Sequence, residues 1–228
     1  MSGETNTFCL WSVLRGILPQ IVPFSAGFFT AIFAEPIRKI LFKPNLKLNF
    51  DNTDDFISLT PEKGSLENKP IEFKAYYIRI RATNTKNVAA KDCKAYLVNI
   101  EKLDSVGNFK QTIYCDSIPL AWSCQNIGEQ YKGININKGV NQFVDVVTTR
   151  HLVSAAEIMY PTMMSQSANS DVLYPQIKLT PFRYEGIFKE KGTFRFTVQV
   201  ASANADPKMI KLIFVWNGVW DKFNVRKG

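Results

Sequence analysis

Two hydrophobic patterns divide the chain. From Gly16 to Ala34 the sequence GILPQIVPFSAGFFTAIFA carries no ionisable side chain, and it is closed by Arg15 on one side and by Glu35, Arg38 and Lys39 on the other. As a helix this run would reach about 28 Å at roughly 1.5 Å per residue, close to a hydrocarbon thickness of about 30 Å. From Leu46 onward the apolar positions recur at every second residue instead. In Phe73–Asn84, Tyr76, Ile78, Ile80 and Ala82 share one face and Tyr77, Arg79, Arg81 and Thr83 the other, which is the alternation of a half-buried strand. Cys93–Lys102 repeats it with Tyr96, Val98 and Ile100 on one side, and Val106-Gly107-Asn108 predicts a hairpin turn into Phe109–Cys115. Shorter candidates stand at Leu120–Ser123, Gly133–Ile136 and Gln142–Val147. The clearest strands come last: Gly192–Val200 turns Phe194, Phe196, Val198 and Val200 inward, and Lys208–Trp216 does so with Ile210, Leu212, Phe214 and Trp216.

The two patterns predict a polar tail over 1–7, a membrane anchor with a juxtamembrane bridge over 8–44, and a β-domain over 45–228. Trp11 suits a membrane interface, and Arg15 can snorkel to the headgroups from one turn inside. In the bridge, Arg38, Lys39 and Lys43 would sit at headgroup level, so the lipid bilayer is the first partner expected. Pro19 and Pro23 read as kinks in the span, with a re-entrant or in-plane hairpin as the competing shape. A cleaved signal peptide would want positive charge ahead of a shorter apolar core; here the first basic residue is Arg15, which favours a retained anchor. Arg38, Lys39, Lys43 and Lys47 follow the span closely, so the positive-inside rule places the N-terminus outside and the β-domain in the cytoplasm.

Short strands separated by turns predict a mainly β fold, an antiparallel β-sandwich preceded by one N-terminal transmembrane helix. His151–Gln176 interrupts it, with a helix-like piece around Val153–Met159 and a polar stretch over Ser165–Asp171. The segment AYYIRIRATNTKNVAAKDCKAYLVNIE resembles the paired strands of Ig-like modules of the bacterial CARDB type. The matching pieces are Tyr77–Arg81, Asn84–Asn87, Ala89–Ala90 and Ala95–Ile100, and GTFRFTVQV resembles the penultimate strand of that group. The resemblance implies an Ig-like sandwich and a tendency to bind partners, and it carries over no active-site residue.

Composition changes this picture little. Hydrophobic residues at 46% and aromatics at 13% suffice for a packed core, and the net charge of +8 favours anionic surfaces. The basic residues are scattered, however, as on a solvated surface. The four cysteines form no C-x-x-C pair and His151 is the only histidine, so no zinc site is expected. A disulfide among Cys93, Cys115 and Cys124 would require an oxidising compartment, and a cytoplasmic domain would keep them as thiols. No phosphate-binding glycine motif occurs, and no cofactor is expected. A nucleophilic triad would have to use His151 with Asp145 six residues earlier, and no G-x-S-x-G frames a nucleophile.

The best binding candidates are Tyr77, Arg79 and Arg81 on one strand and Arg195 on another. Together on one sheet surface they would suit single-stranded nucleic acid or an acidic protein; the opposing view is a solvated face with cross-strand ion pairs, for example to Glu101. Trp220 either closes the sandwich or anchors a partner. The expectation is a membrane-anchored, non-enzymatic binding or assembly module whose further partner is another protein. A membrane effector responding to nucleic acid or nucleotide, and a membrane-tethered hydrolase using His151, are the alternatives.

Overall fold

The computed structural model describes residues 42–66, 69–151, 171–175, 178, 184, 187 and 191–228. The predicted membrane segment with Trp11, Arg15, Arg38 and Lys39 lies outside these residues, as does the helix-like piece at Val153–Met159. Among the described residues no helix is long and apolar enough to cross a membrane. Residues 44–228 form one compact unit.

Its strands are β1 (Leu46–Asn49), β2 (Ile57–Leu66), β3 (Lys69–Asn84), β4 (Ala90–Leu103), β5 (Phe109–Gln111), β6 (Ile118–Pro119), β7 (Ala121–Trp122), β8 (Ile134–Ile136), β9 (Asn141–His151), β10 (Asp171–Pro175), β11 (Gly192–Ala201), β12 (Lys208–Val219) and β13 (Lys222–Lys227). They build two sheets with antiparallel ladders. In the first, β3 pairs with β9; β1 and β2 share the other edge of β3, and β7 and β10 the other edge of β9. The second runs β13-β12-β11-β4, with β5, β6 and β8 along the remaining edge of β4. The chain changes sheet between β3 and β4.

Both sheets contribute to one hydrophobic core, a mainly β, sandwich-like arrangement. Ile78, Ile80 and Ala82 of β3 are fully buried, and so are Phe194, Val198 and Val200 of β11. Ile210, Leu212, Phe214 and Trp216 of β12 line the same interior. These segments are rich in β-branched and aromatic residues, whose side chains fit a pleated, half-buried surface, and their alternation puts those residues on the inner faces.

Two faces differ from the alternation. In β4 the buried residues are Ala90, Cys93, Ala95 and Leu97, then Ile100, so Tyr96 and Val98 do not share the inner face with Ile100. The ladder with β11 pairs Asn99 with Thr197 and then Leu97 with Val198, which leaves Val98 as the extra residue of a bulge. One added residue reverses the in-out order on either side of it. A second bulge in β9 pairs Ile78 with Val147 and Arg79 with Asp145, stepping over Val146. Five strands were not expected: β1 and β6 are short, β2 carries Pro61 and Gly64 within a largely polar stretch, β10 falls inside the predicted loop, and β13 follows the Trp220-Asp221 turn. Near the end of β12, where the ladder with β13 shifts between Trp216 and Val219, Gly218 has φ +84° and Val219 N–H donates to the Asn217 Oδ1 at 3.0 Å, a left-handed position that favours glycine.

A buried asparagine ties the place where the chain first changes sheet, between β3 and β4. Asn84 is fully buried; its Nδ2 donates to the carbonyls of Val88 (2.7 Å) and Ile136 (3.1 Å). Its Oδ1 accepts from the backbone N–H groups of Asn45 (3.2 Å) and Lys86 (3.1 Å). One amide therefore satisfies backbone groups at the entry to β1, in the β3–β4 turn and in β8.

Candidate functional site

On β3, Tyr77, Arg79 and Arg81 alternate with the buried isoleucines and so occupy the outer face of the first sheet. The β9 bulge sets Asp145 opposite Arg79, and pairing of Ala121 and Trp122 with Asp145 and Val144 brings Ser123 alongside. Arg79 Nε donates to Asp145 Oδ1 at 2.8 Å, and Ser123 Oγ donates to the same oxygen at 2.7 Å. Burial pushes the Asp145 carboxyl above its ordinary value, opposed by the Ser123 hydrogen bond and by Arg79. The Arg79 guanidinium also lies 5.6 Å from the Tyr77 ring centroid. Arg81 covers Phe56 at 5.2 Å, and Phe56 packs edge-on against Phe50 and Phe143. The arginine charge on this face is directed into the domain's own carboxylate and rings.

Arg195 lies elsewhere. β3 and β11 belong to different sheets, so Arg195 does not join Tyr77, Arg79 and Arg81 on one surface as the sequence suggested. Alternation tells inner from outer face but not which sheet a strand enters. Arg195 instead pairs across to Glu101 in β4, with Nε donating to Oε2 at 2.7 Å and Nη2 to Oε1. Its Cζ stands 4.2 Å from the Phe109 ring centroid. The Arg195 hydrogen bond is the main reason the Glu101 carboxyl is held below its usual value, against burial, with further help from the Arg195 and Lys211 charges.

Trp220 is half-buried, its ring 5.5 Å from that of Tyr76, which also meets Phe223 at 5.3 Å. Thr149 Oγ1 donates to the Trp220 carbonyl at 2.8 Å. Because Tyr76 and Thr149 belong to the first sheet and Trp220 follows β12 of the second, these contacts close the sandwich-like pair at one end.

His151 ends β9 and pairs with Asp171. Asp145, six residues earlier on the same strand, is about 20 Å away at roughly 3.3 Å per residue, and its carboxylate is engaged by Arg79 and Ser123. Cys93, Cys115 and Cys124 are free thiols; Cys93 is buried, which pushes its pKa up, and the other two are exposed. Among the described residues no group of three metal-ligating side chains assembles. Around Cys115 the chemistry is packing: Tyr184 donates to Asp116 Oδ2 at 2.6 Å, its ring lies 4.9 Å from that of Tyr114, and Tyr114 donates to the Leu97 carbonyl at 2.8 Å. Lys43, at the start of the described residues, is half-buried.

The surface that sequence inspection missed is the outer face of β12 and β13. The inward set Ile210, Leu212, Phe214 and Trp216 leaves Met209, Lys211, Ile213 and Val215 on the other side, and the register sets Arg226 beside Ile213 and Asn224 beside Val215. The signal was present in KMIKLIFVW, whose outward positions set Lys211 among aliphatic groups; without β13 it reads as a solvated strand.

The domain thus belongs to the class of all-antiparallel, two-sheet scaffolds with charged clamps on both outer faces. Compared with known protein families, curated proteins and solved structures, the chain matches none.

Proposed function

We propose that this protein is a membrane-anchored, non-enzymatic binding module, an Ig-like β-sandwich held at the bilayer by residues 8–44 with the domain on the cytoplasmic side. The observation that carries the reading is the disposition of charge on the two outer faces. Arg79 and Arg195, the arginines best placed for ligand or catalytic work, are committed to Asp145 and Glu101, while Lys211 and Arg226 stand exposed on an open sheet face. A flat, open face suits recognition of a surface, whereas small-molecule sites are concave and converge a few polar groups. The long apolar run of 16–34 supports the tether, and four basic residues after it support the orientation.

Carbonate extraction and thiol labelling test this reading. The full chain is expected to stay with membranes through carbonate and high salt. Exposed Cys124 is a native probe for the domain: an impermeant maleimide should reach it only after lysis, while Ser2→Cys should label in intact cells. Release of the chain by carbonate would remove the anchor, and labelling of Cys124 in intact cells would place the domain outside.

A further inference from the structure

We infer that the outer face of β12 and β13 docks flat on an anionic lipid surface; the inference deepens the membrane-tethered reading and rests on it. Lys211, Lys222 and Arg226 frame an aliphatic centre in which Met209 is 62% and Val215 40% exposed, with Ile213 half-buried between them. Lys208 and Lys227 take the inward parity of their strands, opposite Val200 and Leu212, and do not belong to this face. None of the three outward cations closes an ion pair among the described residues, the Lys211 charge acting on Glu101 only from two strands away, and the single carboxylate within 208–227 is Asp221, in the turn. β13 is also the last strand of its sheet, so the face runs out to an edge rather than under a neighbour.

Charge complementarity selects an anionic partner, and the aliphatic centre selects which kind. Single-stranded nucleic acid is held by aromatic stacking as well as charge. The rings on this side, Tyr96 and Phe109, belong to strands beyond β11, and Phe109 is stacked with Arg195. Exposed aliphatic side chains ringed by lysine and arginine match the boundary between headgroups and acyl chains. Each basic residue at such a surface contributes about 1 kcal/mol, roughly fivefold in the ratio of docked to free domain. Replacing both Lys211 and Arg226 by Gln should therefore lower the ratio about 30-fold.

The test is lysine footprinting of the full chain in bilayer nanodiscs, with an amine-acetylating reagent read by mass spectrometry. Discs of phosphatidylcholine alone are compared with discs containing phosphatidylserine. Lys211 and Lys222 are expected to become protected only with phosphatidylserine, reversibly with salt, while exposed Lys86 and Lys91 react equally in both. The protection should disappear in the double Lys211→Gln, Arg226→Gln variant.

Equal reactivity in both kinds of disc, with the chain still incorporated, would overturn the docking and leave the tether standing. Protection on phosphatidylserine discs by a chain that fails to incorporate into phosphatidylcholine discs would uphold the docking and remove the tether. Protection by a single-stranded oligonucleotide and not by phosphatidylserine would overturn the lipid assignment in favour of nucleic acid.

Discussion

Replacing Asn84 by Ala should be among the most costly single changes in the domain. The side chain has no exposed surface and makes four hydrogen bonds to backbone groups of three separate segments. Each bond contributes a net ~1 kcal/mol. The loss is greatest at the Ile136 carbonyl, where the bond is fully buried; water can partly replace the other three. The expected sum is about 3–4 kcal/mol, against a typical domain stability of about 5–15 kcal/mol. In urea, with a slope of roughly 2–3 kcal/mol per molar, the midpoint of the 44–228 unit should fall by about 1–2 M with the slope unchanged. Asn84→Asp separates the geometry from the volume. It keeps both acceptor contacts but turns an oxygen toward the Val88 and Ile136 carbonyls, so at neutral pH it should cost at least as much as Ala. In acid, where the protonated carboxyl can donate one bond, it should partly recover. A loss below about 1 kcal/mol for Asn84→Ala, or an Asn84→Asp variant as stable as the parent, would refute the four-bond knot.

Phe196, 1% exposed between Phe194 and Phe214, should cost about 3–5 kcal/mol when cut to Ala. Its neighbour Arg195 should cost about 1–2 kcal/mol, mostly for leaving Glu101 unpaired; equal losses in urea unfolding would mean the β11 faces are reversed. Trp220→Ala should cost about 2 kcal/mol, less than a fully buried ring, and a neutral result would show that the Tyr76 contact closes nothing. Glu101 and Asp145 should mark the pH dependence with opposite signs. The Glu101 carboxyl is lowered from 4.5, so its contribution is complete above that value and lost as pH falls; Glu101→Gln should flatten the acid decline. Asp145 is raised above 3.8 by burial, so the native state binds the proton more tightly and stability from this group falls as pH rises; Asp145→Asn should steepen the acid decline. Urea midpoints across the acid range check both, and changes of the same sign would contradict the assignment.

How far the sequence led depended on whether a strand was regular. In β11 and β12 the alternation is unbroken, and every residue expected inside is buried. In β4 the alternation on paper named Tyr96 and Val98, but a bulge at Val98 turns Ala95 and Leu97 inward instead. A bulge adds one residue without any required residue type when the partner strand absorbs the kink, so nothing in YLVNIE announces it. β13 was missed because it owes its place to pairing with β12, with Val225 alone fully buried. The candidate site suffered from a different loss of information. Arg79 and Arg195 were legible as outward residues, yet their partners Asp145 and Glu101 and their separation into two sheets arise only from tertiary pairing. Asp145 was noticed as a neighbour of His151 in sequence, the relation that an extended strand makes the least useful, since six residues span about 20 Å.

The same pairing explains why the β12–β13 face is the one left for a partner. Two arginines in the sheet centres have a carboxylate across the ladder: Arg79 has Asp145 across β3–β9, and Arg195 has Glu101 across β11–β4. Partial burial favours such pairs, because a half-desolvated guanidinium without a counter-charge is costly. At the outer strands that constraint relaxes. Lys211 and Arg226 are exposed and close no ion pair among the described residues, and Arg226, on the last strand β13, discourages edge-to-edge association of the sheet, a common use of charge on an edge strand. That role alone would be served by cations among polar residues. It does not account for Met209 and Val215, whose exposure beside those cations carries a hydration cost that a lipid interface would remove. The footprint of Lys211 and Lys222 separates the two explanations, since edge protection predicts the same reactivity whatever the lipid.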